Sequence, residues 1–161
     1  MTLYLGYDRH IRCLQNGFLE FDLQNRTAVI WDGGNKTFTL TNVKQFGQSV
    51  ISVLKNPRET NKQDLYGASE ETTQKEIVAA LEKVTGARWT INDTTTGEQV
   101  SAAVKKLNAG DFTDALALVR ATCFRNTPDL RANYVKEEKL ANDALGQQME
   151  SVEDTIRRII Q

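Results

Sequence analysis

Thr73 and Glu76 stand three residues apart ahead of an apolar repeat, and Gly86 follows where that repeat ends. The threonine hydroxyl can accept from the third helical N–H while the glutamate reaches back to the cap, so this helix has a specified start. Ile77, Val78, Leu81 and Val84 recur at helical spacing, and a glycine just past the last turn supplies the left-handed conformation that ends it. Extended segments flank the helix, Asp64–Ser69 before it and Arg88–Asn92 after it. Strand, helix, strand over residues 64–92 predicts a right-handed crossover and a parallel strand pair. That unit places the chain among α/β folds.

The same kind of order begins upstream. Arg26–Trp31 reads as a strand, closed by Asp32-Gly33-Gly34-Asn35, where glycine tolerates positive φ. Residues 37–40 alternate polar and apolar, as a half-exposed extended segment does. Thr41 or Asn42 can then cap a helix in which Val43, Phe46, Val50, Val53 and Leu54 recur at spacings of three and four. Asn56-Pro57 ends it, because the residue before proline is pushed out of the α region.

Beyond residue 95 the pattern is helical. Val100, Ala103, Val104 and Leu107 form one stripe, and Asp111–Asp114 starts a second helix. Leu140, Ala144 and Leu145 suggest a short helix ending at Gly146, and Ser151-x-x-Asp154 caps a last one. The expected architecture is one α/β unit of about three strands, with at least one parallel βαβ unit, followed by an α-helical segment.

Composition narrows the function classes. With 20 basic and 21 acidic residues, no global field favours nucleic acid or an anionic membrane. The apolar runs fall far short of the ~18 residues of a membrane helix. Met1–His10 has no basic region followed by an apolar core, so no secretory signal is expected. Cys13 and Cys123 show no CxxC or metal-ligand spacing, and a reduced, cytoplasmic protein is the expectation. His10 is the only histidine, which leaves no basis for a metal site or a Ser-His-Asp triad. The glycine pair of Asp32–Asn35 is not G-x-G-x-x-G and precedes an extended segment, so it reads as a structural turn. Lys62 precedes Tyr66, the reverse of the Tyr-x-x-x-Lys order that would point both side chains into one pocket.

Three stretches together resemble a known family: Arg26-Thr-Ala-Val-Ile-Trp-Asp-Gly-Gly-Asn35, the helix Thr41–Leu54 closing on Asn56-Pro57-Arg58-Glu59-Thr60-Asn61, and Thr73–Trp89. They are similar to the C-terminal half of NmrA-like proteins, atypical short-chain dehydrogenase/reductases related to isoflavone reductases, and most of all to the fungal members. The resemblance is good over residues 16–95 and looser over the helical tail. Residues 1–15 read as a leader outside the pattern, and 16–161 as a single substrate-pocket portion.

The resemblance implies the C-terminal part of an NAD(P)-binding Rossmann-like fold. In the family the other half carries the Gly-rich loop for NADP or NAD, at a helix N-terminus, and a catalytic lysine. The resemblance therefore implies a nucleotide cofactor, with binding and hydride transfer by this portion alone not expected. Asn16, Gly17, Phe18 and Phe21 fall in the region that lines the substrate pocket. Gln45-Phe46-Gly47 stands where many relatives have an acidic residue and isoleucine before the glycine. Two further roles fit the family: part of a full-length NADP-dependent reductase of small carbonyls or enones, and a non-catalytic nucleotide-sensing or protein-binding regulatory module. Partners would be a small-molecule ligand or a protein. Strands without their usual neighbours further predict marginal stability or self-association through an exposed sheet face.

Overall fold

The computed structural model describes residues 3–5, 14, 17–62, 64–125 and 131–160. Among them run β1 (Leu3–Leu5), β2 (Phe21–Asp22), β3 (Thr27–Trp31), β4 (Phe38–Asn42), α1 (Val43–Lys55), α2 (Pro57–Thr60), β5 (Glu70–Thr72), α3 (Gln74–Thr85), β6 (Thr90–Thr94), α4 (Thr96–Asn108), α5 (Ala115–Phe124), α6 (Tyr134–Glu137) and α7 (Val152–Ile160). The fold is α/β, with strands in two mixed sheets ordered β1-β4-β5 and β2-β3-β6.

The parallel crossover is present, but its partners differ from the local reading. β6 pairs in parallel with β3, Ala28 opposite Ile91 and Ile30 opposite Asp93, while β5 pairs antiparallel with β4 in the other sheet. The segment expected as a strand at 64–69 forms no strand and holds one isolated parallel bridge, Tyr66 to Leu140. Its backbone is satisfied by other groups: Asn142 Nδ2 donates to Ala68 O at 2.7 Å, Ala68 N–H donates to Asn142 Oδ1 at 3.0 Å, and Ala141 N–H donates to Tyr66 O. A regular ladder begins only at Glu70. Every residue of β4 is buried, so the expectation of a half-exposed segment at 37–40 is corrected. Its polar side chains are covered because loop residues bond them: Thr41 Oγ1 donates to Gly67 O at 3.0 Å and Thr39 Oγ1 donates to Asn133 Oδ1 at 3.4 Å.

The helix termini follow the sequence closely. Thr73 and Glu76 form the full capping box, and Gly86 ends α3 at φ 66°. Asn42 caps α1 by accepting from Gln45 N–H, and Ser151 Oγ accepts from Asp154 N–H at 3.1 Å ahead of α7. Thr95 and Glu98 form a second capping box for α4. Residues 142–146 make a turn ending at Gly146 rather than the expected short helix.

One aromatic cluster joins the two sheets. Phe124 of α5 meets Trp31 of β3 at 5.7 Å and Phe38 of β4 at 5.6 Å between ring centroids. Phe21 stands edge-on to Trp89 at 6.3 Å. Leu40, Ile77, Leu81, Ala103 and Ile156 complete the interior. Trp31, Phe38 and Trp89 are thus core residues, whereas Phe46 is 43 % exposed.

Candidate functional site

The turn at residues 17–20 is held by one side chain. Arg120 of α5 donates from Nε to Phe18 O at 2.7 Å and from a terminal nitrogen to Gly17 O at 3.3 Å. Its guanidinium also pairs with Glu20 at 2.7 Å and lies 5.6 Å over the Phe18 ring. Burial pushes the Glu20 carboxyl above its usual range, and the Arg120 charge opposes that push. Gly17 adopts φ 74° and Glu20 φ 67°, a tight reversal closed by Glu20 N–H donating to Gly17 O at 2.9 Å. Of the residues singled out for a pocket wall, Gly17 and Phe18 lie half-buried on this turn. Phe21 points into the core at 2 % exposure, and Asn16 lies outside the described residues.

The Asp32–Asn35 turn works as structure. Gly33 and Gly34 take φ 74° and 65°. A Cβ on Gly34 would sit 2.7 Å from Ile30 Cγ2, so its lack of a side chain serves packing between β3 and α3. The Asp32 carboxylate accepts from Thr96 N–H at 2.9 Å and from the Thr96 hydroxyl, tying the turn to the first residue of α4. The turn runs on into β4, so it presents no helix N-terminus to a pyrophosphate. That turn therefore offers no phosphate cradle of the strand–loop–helix kind.

Helix α1 is amphipathic in an unusual sense. Its inner side docks through polar groups: Gln45 Nε2 donates to Gln148 O at 2.8 Å, Ser52 Oγ donates to Leu145 O at 2.9 Å, and Gln147 Nε2 donates to Gln45 O. Its apolar residues lie outward, with Val50 43 %, Ile51 53 % and Leu54 74 % exposed. Beside them runs a groove of about 330 Å³, bounded across from the helix by Leu65, Gly67 and Leu145.

A third cluster surrounds Glu70 of β5, which is 1 % exposed. Its Oε1 accepts from the Thr155 hydroxyl of α7, and its Oε2 is buried with no hydrogen-bond partner. Burial raises its pKa to about 7, with Thr155 and Arg158 lowering it and Glu150 and Asp154 raising it. No signal in the sequence marked this carboxyl, since Glu-Glu-Thr before a cap reads as solvated loop. Among the described residues no group of three or more His, Cys, Asp or Glu is placed to hold a metal ion. No helix among them is long and apolar enough to cross a membrane.

No family model matches the chain, and no solved structure gives a significant match. Two curated fungal proteins do. The chain is 28 % identical over 141 residues to "Oxidoreductase poxI" of Penicillium oxalicum, covering 88 % of the chain and 45 % of that protein. It is 27 % identical over 144 residues to "Oxidoreductase aprR" of Aspergillus flavus, covering 89 % of the chain and 48 % of that protein. The chain therefore spans about half the length of the curated relatives it matches, and along nearly all of its own length it is similar to proteins named oxidoreductases.

Proposed function

We propose that residues 16–161 form the substrate-pocket portion of an NmrA-like, isoflavone-reductase-related oxidoreductase that uses NADP or NAD. The observation that carries this reading is the similarity to fungal oxidoreductases along 88 % of the chain, matched to 45 % of the relative's length. In the reductase so assembled, the Gly17–Phe18 turn held by Arg120 forms part of the wall beside the substrate, with Asn16 next to it. The substrate is a small carbonyl or enone. The nucleotide supplies hydride when bound. The contribution of this chain is to position and enclose the substrate, its glycine-paired turn being packed on Ile30 through Gly34 and bonded to Thr96 through Asp32.

Calorimetry of the 161-residue chain with NADP and NADPH tests the reading. No heat of binding is expected here, while a complex with a nucleotide-binding half should bind and should oxidise NADPH with an enone. Micromolar binding by this chain alone would refute it and send the search for a nucleotide site to residues 16–69.

A second reading, a non-catalytic protein-binding module, is favoured by β6. Residues 90–93 are all exposed, and β6 stands at the margin of its sheet among the described residues. Such a strand invites pairing with another chain, including a second copy of this one. Sedimentation velocity across a concentration series separates the cases. Association that Asp93→Pro abolishes supports the module, and a monomer at all concentrations removes that support.

A further inference from the structure

We propose that α7 is a proton-gated clasp: it stays seated on β5 and α3 while Glu70 carries its proton, and it lifts away ahead of the rest of the fold when that proton is lost. The device goes beyond the reductase reading, since it uses none of the residues of the 17–20 turn.

The seam explains why a charged carboxylate is not held there. Glu70 meets α7 through one oxygen, its Oε1 accepting from the Thr155 hydroxyl, while its Oε2 is sealed in without a hydrogen-bond partner. An ionised carboxyl withdrawn from water needs several donors, and this one has a single hydroxyl. On the sheet side β4 sets Leu40 opposite Glu70 and brings it no charge. The charged groups that bear on Glu70 belong to α7 and the residues leading into it: Glu150 and Asp154 oppose ionisation, and Arg158 favours it. The Arg158 guanidinium is engaged elsewhere, donating to Glu150 and to Thr155 Oγ1 at 3.2 Å. Lys44 of α1 acts on Glu150, and Lys83 of α3 pairs with Glu153 at 2.5 Å, so both cations serve other carboxylates.

The position of α7 explains why it is the part that moves. Water can reach Glu70 only if a neighbour yields. Strand β4 is laced between β1 and β5, and α3 carries Ile77 and Leu81 into the core and completes β3 through Gln74. Helix α7 is tied more lightly. Glu150 N–H donates to Ser69 O at 2.7 Å, Glu153 holds Lys83, and Ile156 is its one fully buried apolar side chain. Lifting it leaves Trp31, Phe38 and Phe124 together, as a local opening of low cost does. In the lifted state the carboxyl returns from about 7 to its ordinary 4.5. The opening equilibrium therefore rises about tenfold per pH unit between those values, about 300-fold in all, and levels off above them.

Native-state hydrogen exchange of the full chain from pH 4.5 to 8.5, corrected for intrinsic rates, tests the clasp. Ile156 N–H reports on α7, and Trp31 N–H, bonded to Gln74, reports on the rest of the fold. Opening at Ile156 should follow that rise and plateau while remaining at least tenfold easier than opening at Trp31. Glu70→Gln keeps the shape and should remove the rise. Thr155→Val removes the hydroxyl that favours the charged form, so the plateau should begin at higher pH. Ile156 and Trp31 opening together at every pH overturns the proposal, as does a rise that persists in Glu70→Gln. A Thr155→Val chain loosened equally at all pH, with its plateau unmoved, also overturns it and leaves the seam a purely structural contact.

Discussion

The Gln74 side chain completes the strand that carries Trp31. Its Oε1 accepts from Trp31 N–H at 2.9 Å and its Nε2 donates to Val29 O at 3.1 Å, where β2 no longer reaches. A residue in the first turn of α3 thus does the work of a neighbouring strand. Gln74→Met keeps the volume and removes both bonds, leaving two backbone groups buried without partners. The expected loss is about 3 kcal/mol, read as a lower denaturant midpoint at unchanged slope.

Glu70 makes stability fall as pH rises. Its folded pKa of about 7 lies above the ordinary glutamate value of 4.5, so the folded chain holds this proton more tightly than the unfolded chain. The contribution is fully present below pH 4.5 and is lost as pH passes through about 7, an effect of order 3 kcal/mol. Glu150 and Asp154 add repulsion to the charged form, and Arg158 partly offsets it. Denaturation at a series of pH values should show the decline, and Glu70→Gln should flatten it. A Glu70→Gln profile as steep as that of the parent chain would contradict this assignment.

Asp32 couples the β3 turn to α4. Asp32→Ala removes the acceptor for Thr96 N–H and its hydroxyl, and places alanine at φ 48°. The expected cost is about 2 kcal/mol. Asp32→Asn keeps an acceptor and suits the left-handed region, so it should recover at least half of the loss in thermal unfolding.

Arg120→Ala releases the 17–20 turn and leaves Glu20 half-buried without its cation. Stability should drop by about 2 kcal/mol. Hydrogen exchange at Glu20 N–H should accelerate while exchange in α3 keeps its rank order. Arg120→Lys should not restore protection, because an ammonium cannot reach two carbonyls, a carboxylate and a ring face together.

Phe124→Ala should cost about 4 kcal/mol, since it opens a cavity where both sheets meet Trp31 and Phe38. A denaturation midpoint within experimental error of the parent would show that this cluster does not join the sheets.

The helix ends were legible because their partners lie within a few residues. Thr73 with Glu76, Asn42 with Gln45, and Ser151 with Asp154 are local bonds that any compact fold of this chain can make. Thr95 and Glu98 carry the same T-x-x-E signal ahead of Val100, which the periodic reading passed over. The candidate pocket wall was legible in part: Gly17 and Phe18 share one braced turn, but nothing near Phe18 in sequence announces Arg120, 102 residues away.

The sequence by itself determined the long helices α1, α3, α4, α5 and α7, the caps of α1, α3 and α7, and that the Asp32–Asn35 glycines form a turn, but not that residues 142–146 are a turn or that α2 and α6 exist. Those outcomes depend on backbone conformations and on hydrogen bonds that close over three or four residues. The tertiary structure alone decided that β6 pairs with β3, that residues 64–69 are held by Asn142, and that α1 turns its apolar side outward. Periodicity tells which residues share a face but not what that face meets. Strand partners and buried polar contacts such as Gln74 on Trp31 are settled by groups that come together only when distant parts of the chain pack.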